Sequence, residues 1–438
     1  MHSNDSATPA PLFTAGSTVL DAEALRRLCL EAGADDAGFV ELDRPSLASE
    51  RPHLVRAFPP TRSLISFVLR MNRDNVRSPA RSVANTEFHH TGDDSNGVAR
   101  RITAALERAG VRALYPPMGF PMEADRWMTE RMWVVSHKPV AEAAGMGRMG
   151  IHRNVIHPRF GNFIVLGTIL VGAEISAYGR ALDYNPCLEC KLCVAACPVG
   201  AIGSDGSFAF SACMTHNYRE FMGGFIDWVE TVADSRDGRD YRRRVKEWES
   251  VSVWQSLGFG PNYKAAYCMA VCPAGEDVIT PYLQSKKAFV DEIVRPLQAK
   301  EEPVYVIPGS DAEAHVRKRF PHKTPRHVRN SLRPRSIPTL LQGLALGFQR
   351  GKAGDLDATY HFTFTGAERA DATVRIAGGR ISVQSGHHGE ATLRVDADSE
   401  TWLGFVAKEK SLPWALITRR IRLSGNPRWL LAFGRCFS

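Results

Sequence analysis

The sequence predicts an α/β N-terminal domain with an embedded cysteine-rich module, followed by a separate α+β domain. Three observations carry this expectation. Helical stretches alternate with apolar strands ahead of the cysteines. Seven of the nine cysteines fall between positions 187 and 272. Beyond Pro338, short alternating strands return, separated by glycine turns.

At 438 residues the chain exceeds one ordinary core, so two or three domains are expected. A composition 44% hydrophobic and 23% charged is that of a globular protein in water. No apolar run reaches the length of a membrane span. Residues 1–17 lack a twin-arginine pair and an apolar signal core, and read as a disordered lead to a cytoplasmic protein. The formal charge of +8 is spread, densest in Tyr241–Arg244 and His315–Arg335. These runs lack the aromatic interleaving of single-strand binders, so they read as solvated surface, and nucleic acid is not expected as a partner.

In chain order, Asp21 caps a helix with Leu25, Leu28, Cys29 and Ala32 on one face, stopped by Gly33. Cys29 lies on that apolar stripe and reads as core. Ala37–Glu41 and Ser63–Leu69 read as buried strands, and a helix is expected from about Gly97 to Ala109. Ala143–Gly150 is a small-residue turn leading through His152, Arg153 and His157 to a strand over Asn162–Val171. Gly145, Gly147 and Gly150 spell G-x-G-x-x-G. No strand directly precedes them and no acidic residue follows at a strand end, so they are not a dinucleotide fingerprint. The scaffold domain is expected over 18–180.

Cys187-Leu-Glu-Cys190-Lys-Leu-Cys193-Val-Ala-Ala-Cys197-Pro198 is C-x2-C-x2-C-x3-C-P, and Cys268-Met-Ala-Val-Cys272-Pro273 repeats its end. This spacing wraps three thiolates around one [4Fe-4S] cluster and lends the fourth cysteine to another. A disulfide framework belongs to small secreted domains, and structural zinc sites do not need the third x2 spacing or the Cys-Pro. The first cluster is expected on Cys187, Cys190, Cys193 and Cys272. The second is expected on Cys197, Cys213 and Cys268, one thiolate short, because Ala265 stands where a full motif has cysteine. His216, three residues after Cys213, is the candidate eighth ligand. A three-iron cluster, another non-Cys ligand or no second cluster are the alternatives. The module is expected over 181–300, with a helical insertion across Asn217–Tyr263.

The order Ala144-Gly-Met-Gly-x-x-Gly, Pro158-x-Phe-Gly161, apolar strand and cysteine run resembles the core of epoxyqueuosine reductases and reductive dehalogenases, from about Asp21 to Asp277. The resemblance implies a corrinoid-binding α/β domain with an embedded ferredoxin-like module, whose [4Fe-4S] clusters pass electrons to cobalamin. It implies an electron donor such as a ferredoxin or flavodoxin. It puts Gly145, Gly147 and Gly150 on the corrinoid side and makes Lys138, His152, Arg153 and His157 the candidate catalytic proton donors. Three departures stand out: Gly150-Ile-His-Arg153 replaces a Gly-Lys-Asn turn, Ser136-His-Lys138 stands where the reductases carry a catalytic aspartate, and the segment Asn217–Tyr263 between the cysteine groups is longer than usual.

Residues 301–337 read as an irregular segment with one strand at Val304–Ile307 and a basic linker from Phe320. Over 338–438, a helix at Ile337–Phe348 precedes strands at 358–364, 372–376, 380–384 and 391–395. A helix at Ser399–Ala407, a strand at Ile421–Gly425 and a terminal helix follow. Ala377-Gly-Gly-Arg-Ile-Ser-Val383, Trp402-x-x-Phe405 and Ile421-Arg-Leu-Ser-Gly-Asn426 resemble a sterol-carrier-protein lipid-transfer domain. The resemblance implies a five-stranded sheet backed by helices around an apolar tunnel for a lipid-like ligand, or a filled tunnel that serves dimerisation. The function expected is an iron–sulfur oxidoreductase passing electrons to a small apolar substrate, with a corrinoid between them if the resemblance extends so far. A non-catalytic electron carrier with a lipid-binding module, and an RNA-modifying reductase of the epoxyqueuosine type, are the alternatives.

Overall fold

The chain divides into two units, each assembled from segments distant in sequence. In the computed structural model, one unit comprises Met1–Ala124, Met132–Ala196 and Tyr267–Leu297; the other comprises Asp125–Arg131, Cys197–Ala266 and Gln298–Ser438. The structure describes residues 12–13, 17–126, 131–187, 189–329, 334–407 and 409–437. The expected lead lies largely outside these described residues.

The first unit is built on strands β1 (Asp36–Glu41), β2 (Ser63–Arg70), β3 (Ala113–Leu114), β4 (Arg148–Met149), β5 (Val155–Ile156) and β6 (Ile164–Val171). Four form a sheet ordered β1-β2-β6-β3, and β4 pairs with β5. Every pairing in the four-stranded sheet is antiparallel, and the architecture is mixed α/β. Both faces of this sheet are covered, which explains its unbroken apolar runs. Ile65, Phe67 and Leu69 of β2 pack with Leu25, Cys29, Ile102 and Leu106 on one side. Leu64 and Val68 pack with Leu54, Val140 and Ala141 on the other.

The helix Ala22–Glu31 starts where expected, with Asp21 accepting from the Ala24 N–H at 2.8 Å. The helix expected from Gly97 instead spans Arg81–Arg108. Up to Ser95 it turns Ala84, Asn85, Phe88, Thr91, Gly92 and Ser95 inward, with Phe88 the one large apolar side chain among them. Small and polar residues on the buried face conceal the apolar period that would have revealed it.

In the second unit, β7 (Pro303–Val306) and β8 (Thr324–His327) pair in parallel, with the helix Asp311–Arg319 between them. Part of the stretch read as linker is therefore a β–helix–β crossover. Thr324-Pro-Arg-His327 has little strand propensity. Pairing with β7, and two bonds from Arg326 to the Glu249 carboxylate at 3.0 and 2.8 Å, hold it extended. The insertion is helical over Gly224–Ala233, Gly238–Arg244 and Glu247–Phe259.

Five further strands, β9 (Ala358–Thr365), β10 (Ala370–Ala377), β11 (Arg380–Ser385), β12 (Leu393–Asp398) and β13 (Ile421–Ser424), form a sheet ordered β11-β10-β9-β12-β13. Gly378 and Gly379, at φ 55° and 65°, form the two-residue hairpin turn. Tyr360, Phe362, Phe364, Trp402 and Phe433 form the core of this sheet, with Phe362 5.4 Å from both Trp402 and Phe433. No helix among the described residues is long and apolar enough to cross a membrane.

Candidate metal centre

The four cysteines expected at the first cluster, Cys187, Cys190, Cys193 and Cys272, all belong to the first unit, as does Cys268. They lie within electrostatic reach of one another. Burial pushes the Cys193 thiol far up, and Cys268, Cys272, Cys190 and Cys187 add to that. Burial raises Cys272 to about 12, with Cys190, Cys187 and Cys268 contributing. Crowded buried thiols of this kind ionise only against a compensating cation.

The local chain supplies N–H donors for them. Glu189 and Lys191 both take left-handed φ of 51°, curling the loop. Burial raises the Cys190 thiol, and the backbone N–H groups of this curled loop counter part of that rise. The Ile151 N–H donates to Cys187 Sγ at 3.4 Å, tying the glycine turn to the cysteine loop.

The second cysteine pair is locked to the same turn by two glycines. A Cβ on Gly161 would stand 2.1 Å from the Ala274 carbonyl oxygen, and one on Gly275 2.3 Å from the Gly161 nitrogen. Both have positive φ, 66° and 112°. Glu276 and Asp277 N–H groups donate to the Pro158 and Arg159 carbonyls at 2.9 and 3.0 Å, and Arg159 pairs with Asp277 at 3.1 Å.

All nine cysteines are free thiols, which removes the disulfide framework. Among the described residues no three His, Cys, Asp or Glu side chains converge on a single ion. Ligands of an iron–sulfur cube each hold a different iron and stand further apart than the ligands of one zinc. The donor set of soft thiolates with N–H···S bonds fits a cluster.

The division between the units falls between Ala196 and Cys197 and between Ala266 and Tyr267, so Cys197 and Cys213 belong to one unit and Cys268 to the other. Cys197 Sγ accepts from the Ala201 N–H at 3.3 Å, and burial raises its thiol. Cys213 and His216 lie on the helix Phe210–His216. His216 is 1% exposed, its Nδ1 accepts from the Tyr305 N–H at 3.3 Å, and Nε2 is buried without a partner. Burial lowers its pKa to about 4, so it is neutral near pH 7. A neutral imidazole that accepts at Nδ1 carries its proton on Nε2. In this orientation His216 offers iron a donor instead of a lone pair. Position 265 is equally fixed: the Ala265 and Ala266 N–H groups donate to Asn217 Oδ1 at 3.0 and 2.7 Å.

The candidate proton donors are engaged in holding the turn. His152 is buried; its Nδ1 accepts from the Asn154 N–H at 3.1 Å, and Nε2 lies 3.2 Å from the Asn162 amide. The Nε2 proton this implies meets Asn162 Oδ1, otherwise buried without a partner, if that amide is turned over. Burial, then Lys138, lowers the His152 pKa to about 4. His157 Nδ1 accepts from Arg159 and Phe160 N–H at 3.2 and 3.3 Å, and Nε2 donates to Asp36 at 3.0 Å. Burial opposes ionisation of Asp36, but bonds from His157 and Arg26 outweigh it and keep the carboxyl low. Lys138 donates to the Arg153 carbonyl, and Arg153 has φ 65°.

The three glycines face their own chain. A Cβ on Gly145 would meet the Arg180 carbonyl at 2.6 Å, on Gly147 the Ile156 carbonyl at 2.4 Å, and on Gly150 the Ile156 side chain at 2.9 Å. The space a Cβ would fill is thus occupied by protein, and these glycines make no cradle for a corrinoid.

Sequence reasoning missed Arg77, at the end of the helix Arg73–Arg77. Its Nε donates to the Ala270 carbonyl, midway between Cys268 and Cys272, at 3.3 Å. Its guanidinium lies 5.2 and 5.5 Å over the Phe163 and Phe289 rings, with Nη2 buried and unpartnered. Nothing local in the sequence marks it, because its partners are distant along the chain. Arg77 also lines a cavity of about 540 Å³ with Arg70, Arg73, Phe160, Phe163 and Asp277.

Comparison with known proteins adds to this geometry. Residues 346–438 match the model of the SCP-2 sterol transfer family. The chain carries an SCP-2 domain there. An epoxyqueuosine reductase of Staphylococcus aureus is 34% identical over 82 residues, covering 19% of this chain and 21% of its own. That of Gloeobacter violaceus is 27% identical over 231 residues, 51% of this chain and 66% of its own. The chain thus spans between 21% and 66% of the length of these two relatives. The solved epoxyqueuosine reductase of Streptococcus thermophilus aligns over 61% of this chain and 74% of its own, at 16% identity and a TM-score of 0.36.

Proposed function

We propose that this chain is an iron–sulfur reductase in which Cys187, Cys190, Cys193 and Cys272 hold a [4Fe-4S] cluster that passes electrons to a small substrate. The observation that carries this reading is the joining of both cysteine segments to one glycine-bearing turn, through Ile151 on Cys187 and Gly161 against Gly275. The names of the curated relatives support a reductase.

A bound cluster supplies single electrons at a tunable potential. The chain's own residues do the rest. The Ile151 N–H stabilises the thiolate of Cys187. Arg77 places a positive charge against the Cys268–Cys272 segment. Asp36 and His157 hold the turn to β1. His152, neutral at pH 7, orients Asn154 and Asn162; a general acid working at that pH needs a pKa nearer to it. No step is routed through a corrinoid, since Gly145, Gly147 and Gly150 are packed against protein. The SCP-2 domain is assigned the binding of an apolar, lipid-like ligand.

Anaerobic reconstitution tests the reading. The parent chain is expected to bind at least about four irons with matching sulfide, and Cys190→Ser or Cys193→Ser to lose that signal. Unchanged iron content in both variants overturns it. The relatives' shared name favours a second reading, reduction of epoxyqueuosine in RNA; turnover of such an RNA by the reconstituted chain would establish it, and its absence would leave the small-substrate reading.

A further inference from the structure

From Lys410 to Ser438 the sequence holds six basic side chains and no acidic one, while the rest holds 49 basic against 47 acidic. Most of the formal charge of +8 is therefore concentrated in this stretch. The same stretch exposes large apolar side chains. The helix Leu412–Ile417 buries Ala415, whereas Trp414 is 46% and Ile417 82% exposed. Arg419, in the left-handed region at φ 54°, turns the chain back immediately after this tip. Arg419, Arg420 and, on β13, Arg422 are all exposed beside it. The Arg420 guanidinium lies 5.8 Å over the Trp414 ring, and 3.8 Å from Asp398. On the terminal helix Arg428–Arg435, Arg428, Leu431 and Arg435 stand at i, i+3 and i+7, all exposed, while Leu430 and Phe433 enter the core.

Basic side chains flanking exposed Trp and Ile match the two layers of an anionic membrane surface. Guanidinium groups pair with lipid phosphates, and indole and aliphatic groups enter the headgroup–acyl boundary. Charge and Trp414 would also suit a nucleic acid, but single-strand binding uses aromatic stacking and leaves Ile417 without a role. We propose that this face of the SCP-2 domain docks on an anionic lipid bilayer, with Trp414 and Ile417 inserted and Arg419, Arg420 and Arg422 on the phosphates. This rests on the surface of one domain and is independent of the cluster.

The test uses the full chain with phosphatidylcholine vesicles, with and without phosphatidylglycerol. Sedimentation with the phosphatidylglycerol vesicles is expected, falling about tenfold in the Arg419→Glu, Arg420→Glu double variant and falling as salt rises. Ile417→Asp is expected to lose binding while Ile417→Leu keeps it, with circular dichroism of each variant matching the parent. Brominated acyl chains are expected to quench the parent's fluorescence more than that of Trp414→Phe. Equal binding with and without phosphatidylglycerol, equal binding by all variants, or capture of tRNA without capture of vesicles would overturn the proposal.

Discussion

The two sheets of this protein are covered differently, and the difference governs what each can do. In the first unit β2 and β6 are buried along nearly their whole length, with cores on both faces. In the second, the central β9 is buried as fully, but β12 alternates buried and accessible residues and the edge strand β11 is open. A sheet covered on both sides is a rigid platform, and the turn that carries the cysteine segments is anchored to it. A sheet whose outer strands are open leaves those strands accessible from solvent.

The sharpest way to break this comparison is to damage each unit separately. Gly161→Val forces a side chain into the Ala274 carbonyl at a left-handed position, at a cost of about 3 kcal/mol. Iron is expected to be lost with it while lipid binding persists. Phe362→Ala empties the aromatic core of the other sheet, at about 3–5 kcal/mol; lipid binding is expected to fall while iron remains. Thermal unfolding followed with iron content and lipid retention checks both, and parallel loss of the two activities in either variant would contradict the separation.

A smaller effect is expected at Arg77. Arg77→Gln removes a buried positive charge beside the Cys268–Cys272 segment, and should make the cluster about tenfold harder to reduce, ~59 mV for one electron. Arg77→Lys should recover most of this in an EPR-monitored titration. An unchanged midpoint in the glutamine variant would restrict Arg77 to packing.

A further effect concerns pH. His152 is held neutral with its pKa lowered to about 4 from an ordinary 6.5. Its contribution is intact above pH 6.5 and is lost as pH falls towards 4, because the unfolded chain takes up the proton first. Stability should decline by at most about 1.4 kcal/mol per pH unit in that window. His152→Gln should flatten the decline in urea melts of the first unit.

Elements were legible where side-chain periodicity matched burial. Asp21 and Gly33 mark the first helix, and the Gly378-Gly379 hairpin and Trp402-x-x-Phe405 mark the C-terminal domain. The helix from Arg81 was half hidden because its inner face carries Asn85, Thr91 and Ser95. The helix Asp311–Arg319 was missed because only Ala312 and Val316 are buried on it, and β8 because its conformation comes from pairing with β7. At the candidate centre the cysteine spacing is visible in the residues alone. Roles for His152, His157 and Lys138 are not, since their hydrogen-bond partners lie on turns and strands that only folding brings to them.

The sequence by itself determined the cysteine register, the SCP-2 pattern and the unequal charge of the last residues, because these depend on neighbours along the chain. Tertiary structure alone decided that the first sheet is antiparallel and that Gly161 meets Gly275. It also decided that Arg77 reaches Ala270 and that His216 accepts from Tyr305. Each of these joins residues far apart in the chain, and such contacts are set by packing and backbone hydrogen bonding, which no local pattern records.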